Sequence, residues 1–251
     1  DESGAEQQAV LSFAKQIDLE NAQQVLEYGA SAQKNIADFS DTALAKVKTG
    51  DLGEIGTMLS GLLVELKTLE EPEKKGIAGL FRKAKINSEE LKARFSTAEV
   101  NVDRISGELE KHKVTLLKDV AVMDQMYDRN LQYFKELTMY ILAGKQKLAE
   151  ARSTTLRELR EKAEASNLPE DAQAANDFEN KCVRFEKKLH DLELTRMISL
   201  QTAPQIRMIQ NNDTALVEKI QTSVLNTIPL WKNQMVLTLG IENSRRAMEA
   251  Q

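Results

Sequence analysis

The sequence predicts an all-α protein, an elongated antiparallel coiled-coil-like hairpin of two long helical arms with a small N-terminal helical module. Charged residues make up 29% of the 251 residues and aromatic residues only 5%, with 11 glycines and 4 prolines, which is typical of long helices. Apolar residues recur at heptad spacing after residue 87, which indicates helices that pack along one face. A turn signal near residues 166–170 divides this run into two arms of similar length.

Composition and charge narrow the class of protein. The net charge of −5 argues against a general nucleic-acid binder. No stretch approaches the roughly 20 uncharged apolar residues of a membrane helix, and the acidic N-terminus lacks the order of a signal peptide. Cys182 is the only cysteine, so no intrachain disulfide forms. We therefore expect a cytoplasmic protein without a transmembrane segment. The sequence ends inside a helical pattern, so we also expect the hairpin to be truncated at its C-terminus.

Capping residues divide the N-terminal region into short helices. Small polar side chains before an apolar-periodic run accept hydrogen bonds from the free N–H groups of the first helical turn. The last of these helices carries an apolar face and ends before Pro72. The predicted N-caps are Asp18, Ser40 or Asp41, and Asp51.

A basic amphipathic segment, PEKKGIAGLFRKAKI, covers residues 72–86. It is either a contact for anionic lipid or an acidic partner, or a connector whose apolar side docks on the next helix. Its short length disfavours firm membrane binding by itself, so the connector is preferred. We therefore predict two domains, an N-terminal helical module with this basic connector over residues 1–86 and the helical hairpin over residues 87–251.

The first arm begins at a cap formed by Asn87 or Ser88 and meets no proline until Pro169. Its apolar seam slips by one position at Val120 and Met123 and then resumes, which resembles a stutter in a coiled coil. The other residues expected to face inward are Leu91, Phe95, Ala98, Val102, Ile105, Leu109, His112, Leu116, Tyr127, Leu131, Phe134, Leu137, Ile141, Leu148, Leu156 and Leu159.

The second arm is predicted to start at the turn, with Pro169 at its first helical position and acidic residues in its first turn. Because the two arms are similar in length, we expect them to lie antiparallel, with residue i facing roughly residue 336 − i. This register places Pro229 near Gly107. The apolar residues at heptad spacing in this arm are Phe178, Cys182, Phe185, Leu189 and Leu192.

The seam of the second arm loses its apolar character after Leu192. Pro204 and Pro229 are expected to kink or restart the helix, because proline lacks the N–H group that a helix needs. Residues 211–213, Asn-Asn-Asp, could break the helix or cap a new one. Continued heptad spacing directs inward Arg196, Ser199, Ala203, Ile206, Gln210, Asp213, Val217 and Ile220.

The segments SLQTAPQIRMIQNND, LVEKIQ and TIPLWKNQM resemble the signature of the toxic anion resistance family, the TelA-type tellurite-resistance proteins of bacteria. More dispersed agreement comes from VLEYGASAQ, LKDVAVMDQMYDRN, YILAGKQKLAE and FEKKLHDLE, so the resemblance covers nearly the whole chain from about residue 20. It implies a cytoplasmic helical protein linked to tellurite or other toxic-anion and envelope stress. It implies no particular reaction.

No catalytic constellation emerges from the residues. Cys182 lies on an apolar seam, where a free cysteine behaves as a small hydrophobe, and no second thiol accompanies it. His112 and His190 are the only histidines, and the predicted register separates them. No phosphate-binding loop, nucleophile elbow or dinucleotide fingerprint is present. We therefore expect no enzymatic activity, no cofactor and no metal site.

The polar block in the second arm is the candidate partner- or anion-binding site. Its amides could instead satisfy backbone groups freed by the prolines and fix the register of the hairpin. Recognition of a partner and binding of a small anion are the functional alternatives. The candidate residues are Gln201, Gln205, Arg207, Gln210, Asn211, Asn212, Trp231, Lys232 and Gln234.

The preferred hypothesis is a non-enzymatic helical interaction protein that acts in a stress response and contacts another protein, in one version a membrane-proximal one. Self-association is a further possibility. The alternative is direct binding or reduction of a toxic oxyanion such as tellurite.

Overall fold

A computed structural model of the protein describes residues 2–49, 52–68 and 88–250, and all of its regular structure there is helical. The all-α prediction is confirmed. No helix in this part of the chain is long and apolar enough to cross a membrane. In chain order the elements are α1 (Glu2–Lys15), α2 (Ala22–Glu27), α3 (Ala30–Thr49), α4 (Leu52–Thr68), α5 (Ser88–Glu150), a π-helical segment (Ala151–Leu156), α6 (Arg157–Ser166), α7 (Pro169–Thr222), a second π-helical segment (Ser223–Thr227) and α8 (Ile228–Glu249).

The chain divides into two compact units, each of which contains part of both long arms. The first unit comprises Asp1–Lys48 and Asp124–Met208, and the second comprises Thr49–Met123 and Ile209–Gln251. The predicted basic connector and the predicted boundary after residue 86 lie outside the described residues, so the division into domains at that point stays a prediction.

The arms of the first unit run antiparallel, as predicted. Ion pairs cross between them, with 2.8 Å from Arg160 Nη2 to Glu179 Oε1 and 2.5 Å from Lys145 Nζ to Glu193 Oε1. The predicted turn is confirmed: Asn167 adopts a left-handed conformation with φ of 52°, and α7 begins at Pro169. A left-handed residue after the last helical turn is a common way to end a helix.

Helices α1 to α3 complete the core of the first unit. The hydroxyl of Tyr28 donates to the carbonyl of Tyr140 at 2.5 Å, and its ring packs edge-on against Phe185, which is fully buried. Gly29 separates α2 from α3 with a φ of +69°, and a Cβ there would lie 2.8 Å from Leu192 Cδ1. Both the backbone conformation and the close approach therefore require glycine at this turn.

Two of the predicted caps in this region are corrected by the structure, and the third, Asp51, lies outside the described residues. Asn21, rather than Asp18, caps α2, and its Oδ1 accepts from the backbone N–H of Gln24 at 3.1 Å. Helix α3 continues through Ser40 and Asp41, so neither begins a new helix. Ser40 is instead buried against α7, where its hydroxyl lies 3.3 Å from that of Thr202.

The second unit packs α4 with the N-terminal part of α5, the C-terminal part of α7 and α8. Trp231 lies in its core, and its ring centroid is 5.4 Å from that of Phe95. Lys232 Nζ bonds Asp103 Oδ1 at 2.7 Å, one position from the residue expected from the predicted register. The arms of this unit are thus antiparallel as well.

A restart of the helix at Pro204 and a break at residues 211–213 do not occur. The helix runs without interruption through Pro204 and through residues 211–213. At Pro229 the chain does depart from α-helix, because a π-helical segment precedes it and Ile228 N–H bonds the carbonyl of Ser223. A wider turn of this kind makes room where a proline ring would crowd the preceding turn.

Candidate functional site

The polar positions of the second arm do face inward, and in the first unit they are satisfied across the arms. Ser199 is 1% exposed and Asn130 on α5 is 2% exposed. Asn130 Nδ2 donates to the carbonyl of Ser199 at 3.0 Å, and the Ser199 hydroxyl donates to Asn130 Oδ1 at 3.1 Å. Leu131, which was expected at this level of the seam, is 44% exposed. The slip in the first arm therefore brings an amide inward in place of a leucine.

Two arginines of α7 in the first unit lie over aromatic rings of α5. Arg196 Cζ is 4.9 Å from the ring centroid of Phe134, and Arg207 Cζ is 3.9 Å from that of Tyr127. Arg207 Nη1 also bonds Asp124 Oδ1 at 2.8 Å. Guanidinium groups held between a carboxylate and an aromatic face are stabilised by charge and by the ring quadrupole. The charge of Arg207 is thus already used within the protein.

In the second unit the inward polar residues are Gln210 and Asp213. Gln210 Nε2 donates to the backbone carbonyl of Val120 at 3.1 Å, which holds the two arms in register. Asp213 is only 5% exposed and faces Asp119. Burial raises the pKa of the Asp213 carboxyl, and the nearby Asp119 carboxylate raises it further.

The nine candidate residues do not form one cluster. Three belong to the first unit and six to the second. Trp231 is buried, so it offers no surface to a ligand, and its Nε1 has no hydrogen-bond partner among the described residues. Arg207 and Lys232 are ion-paired, and Gln210 is buried and bonded to Val120. The exposed ones are Gln201, Gln205, Asn211, Asn212 and Gln234.

In the first unit, Gln201 and Gln205 lie within an exposed apolar surface that sequence reasoning missed. Leu194, Met197 and Met208 on the same helix are 51%, 54% and 58% exposed. Helical spacing places them on one face, opposite the buried seam. The helical periodicity of the sequence could have predicted this surface, because apolar residues at this spacing that lie outside the seam must point away from the core. We call this surface the α7 stripe, and its members are Leu194, Met197, Ile198, Gln201, Gln205 and Met208.

The chemistry open to these residues is limited. Cys182 is fully buried in the core of the first unit, and burial raises the pKa of its thiol, which disfavours the nucleophilic thiolate. His112 belongs to the second unit and His190 to the first. Within the ranges that the structure covers, no three His, Cys, Asp or Glu side chains are grouped in a way that could hold a metal ion.

The fold and the site together define a helical protein whose second arm combines a polar seam with an exposed apolar surface. The family model for the toxic anion resistance protein (TelA) matches residues 10–251. The chain belongs to this toxic anion resistance family, as its signature segments predicted.

Curated relatives agree with this assignment. A TelA-like protein of Staphylococcus epidermidis is 42% identical over 98% of this chain and 67% of its own length. TelA-like proteins of Staphylococcus saprophyticus and Staphylococcus aureus are 41% and 39% identical over 99% and 98% of this chain. The chain spans about two thirds of the length of these relatives. No solved structure matches it.

Proposed function

We propose that this chain is a non-enzymatic interaction protein that acts in a bacterial stress response in the cytoplasm, and that it binds another protein through the α7 stripe. The stripe carries this proposal. Its exposed leucine, isoleucine and methionine side chains form an apolar surface, and its two glutamines can hydrogen-bond a partner backbone. Methionine-containing surfaces adapt to a partner's shape because the side chain is flexible and polarisable.

Site-specific photo-crosslinking in the bacterium tests the stripe. A photoreactive phenylalanine replaces Gln201 or Gln205, and the matched control replaces Asn176, which is also exposed on α7 in the first unit. We expect discrete adducts at positions 201 and 205 that the control position lacks. The Met197→Ser/Met208→Ser variant should remove them, since it strips the apolar surface without touching the core.

The size of each adduct identifies the partner class. An adduct with a second copy of the chain would indicate self-association, and an adduct with a different protein would identify the partner. An adduct with a membrane-proximal partner should fractionate with the cell envelope. Adducts that are the same at position 176 as at position 201, or that persist in the double serine variant, would reject the stripe as the binding surface.

Direct binding of an oxyanion is the alternative, and the site geometry supports it less. Arg207 and Lys232, the two candidate cations, are held by Asp124 and Asp103. An oxyanion would have to compete with these carboxylates. Isothermal titration with tellurite decides the matter, because saturable binding that is lost in Arg207→Ala would favour the alternative.

A further inference from the structure

A second surface of the first unit has the shape of a ligand site. A groove of about 440 Å³ lies between the segment around α2 and the N-terminal half of α7. This size falls within the range typical of small-molecule sites. Leu19, Val25 and Leu26 supply apolar side chains to it, and Leu26 is 74% exposed. We call it the α2–α7 groove.

The charge lining this groove is not balanced. Four cations and two carboxylates line it, a net charge of +2 in a chain whose net charge is −5. Lys181 is paired, since its Nζ lies 2.5 Å from Glu20 Oε2. Within the part of the chain that the structure covers, the remaining cations have no acidic partner. They are Arg184, Lys187 and Lys188.

These three cations are close enough to act on one anionic group. They occupy adjacent turns of α7, and the rise of 1.5 Å per residue places Arg184 and Lys188 about 6 Å apart along the axis. A carboxylate or phosphate accepts hydrogen bonds from guanidinium and ammonium groups together. The apolar side chains that line the groove come from the segment around α2, and they have no donor that could hydrogen-bond such a head group.

We propose that the α2–α7 groove binds an amphiphilic anion, with the anionic head at Arg184, Lys187 and Lys188 and an acyl-like tail along Leu19, Val25 and Leu26. The lining matches both halves of such a ligand: apolar side chains receive the tail, and unpaired cations receive the head. A fatty-acid-like molecule and an anionic lipid share this chemistry. The groove residues on α7 end at Asp191, whereas those of the α7 stripe begin at Leu194, so the two sites occupy consecutive stretches of the helix.

Calorimetry with two amphiphiles of equal tail and opposite charge tests the proposal. Laurate is expected to bind the full chain saturably below its micellar concentration, and dodecyltrimethylammonium at least about tenfold more weakly. The Arg184→Gln/Lys187→Gln/Lys188→Gln variant should weaken laurate binding by about tenfold, from a modest contribution of each exposed charge.

A matched triple variant controls for net charge. Lys34→Gln/Arg129→Gln/Lys135→Gln removes three exposed cations of the first unit that do not line the groove, and laurate affinity should stay within about twofold. Leu26→Ser should weaken binding several-fold, whereas Leu131→Ser, which is also exposed, should not. Thermal melting followed by circular dichroism verifies that each variant is folded.

Several results would overturn the proposal. They are an equal loss of laurate affinity in both triple variants, equal affinity for the two amphiphiles, and no saturable binding of laurate.

Phosphatidylglycerol vesicles then identify the source of the ligand. Retention of the wild type, but not the groove variant, on vesicles points to a lipid, and laurate binding without retention points to a free amphiphile. Variants of the α7 stripe should leave laurate binding unchanged, so the two sites fail or hold separately.

Discussion

Buried polar side chains distinguish the second arm from an ordinary coiled-coil helix, and two of them form hydrogen bonds with the first arm. Asn130 and Ser199 satisfy each other, and Gln210 satisfies the carbonyl of Val120. A buried polar group without such a partner costs free energy. Because an alternative register would separate these pairs, they favour one alignment of the arms within each unit. Asp213 does not follow this pattern, because it is buried and faces a second carboxylate.

The pH dependence of stability should reveal the cost of Asp213. Its pKa is raised in the folded state, so the folded protein binds more protons than the unfolded chain above the ordinary carboxyl pKa of about 3.9. Ionisation therefore lowers the free energy of unfolding as the pH rises from that value through the raised pKa. We expect Asp213→Asn to stabilise the protein at pH 7 by on the order of 1 kcal/mol, with a gain that shrinks as the pH falls towards 4.

Urea unfolding at a series of pH values measures this effect. Glu218→Gln removes one acidic charge from an exposed position of the same helix in the same unit and serves as the control. It should change stability by less than about 0.5 kcal/mol at any pH. A gain for Asp213→Asn that does not depend on pH would show that ionisation of this carboxyl is not the cause.

At the scale of the helices, close approach and proline placement decide how the arms pack. A side chain at Gly144 on α5 would overlap the buried Leu189 of α7, so the arms meet closely where glycine leaves room. The two prolines behave differently. The π-helical segment precedes Pro229, whereas α7 continues through Pro204 without a change of helix type. Packing along the buried face, with Thr202 and Ile206 on either side of Pro204, maintains the helix there.

Pro204→Ala should therefore stabilise the first unit. Proline has no N–H, so the carbonyl of Leu200 lacks its helical donor, and alanine restores that bond. Pro204 is exposed, so its removal leaves no cavity. We expect a gain of roughly 1–3 kcal/mol in urea unfolding and slow hydrogen exchange at the new amide of residue 204. Gln205→Ala is the adjacent control and should change stability by less than about 0.5 kcal/mol. A loss of stability would mean that the proline ring itself makes favourable contacts.

At the scale of the molecule, the sequence predicts the helices well and their boundaries less well. Heptad spacing found the buried positions of both arms, such as Leu109 and Phe185, because burial depends on helical periodicity. It failed where tertiary packing overrides local signals. Ser40 was predicted to cap a helix but is buried against Thr202. Leu131 was predicted to be buried but is exposed, and Asn130 is buried at that level instead. The same holds for the candidate site: the sequence predicted the inward polar positions of the second arm but did not predict the exposed apolar surface of α7.

The α2–α7 groove could not be predicted at all, because it depends on where α2 packs. Its cations read as an ordinary charged surface of a long helix, and its apolar residues lie more than a hundred residues earlier in the chain. Only the packing of α1 to α3 on the second arm brings them together. Sites of this kind need tertiary contacts, whereas the α7 stripe follows from the periodicity of a single helix.

The two units each have their own apolar core, and this predicts two separable responses to core substitutions. Phe185 is fully buried in the first unit and Ile220 in the second.

Truncation to alanine of a buried side chain of this size costs about 2–5 kcal/mol. Local unfolding is confined to a cooperative unit when few interactions outside it are lost. Phe185→Ala should therefore lower hydrogen-exchange protection mainly in residues 124–208, and Ile220→Ala mainly in residues 88–123 and 209–250. Leu168→Ala, at an exposed position in the turn, should change neither region by more than about 0.5 kcal/mol. Equal loss of protection in both regions for both core variants would mean that the chain unfolds as one cooperative unit.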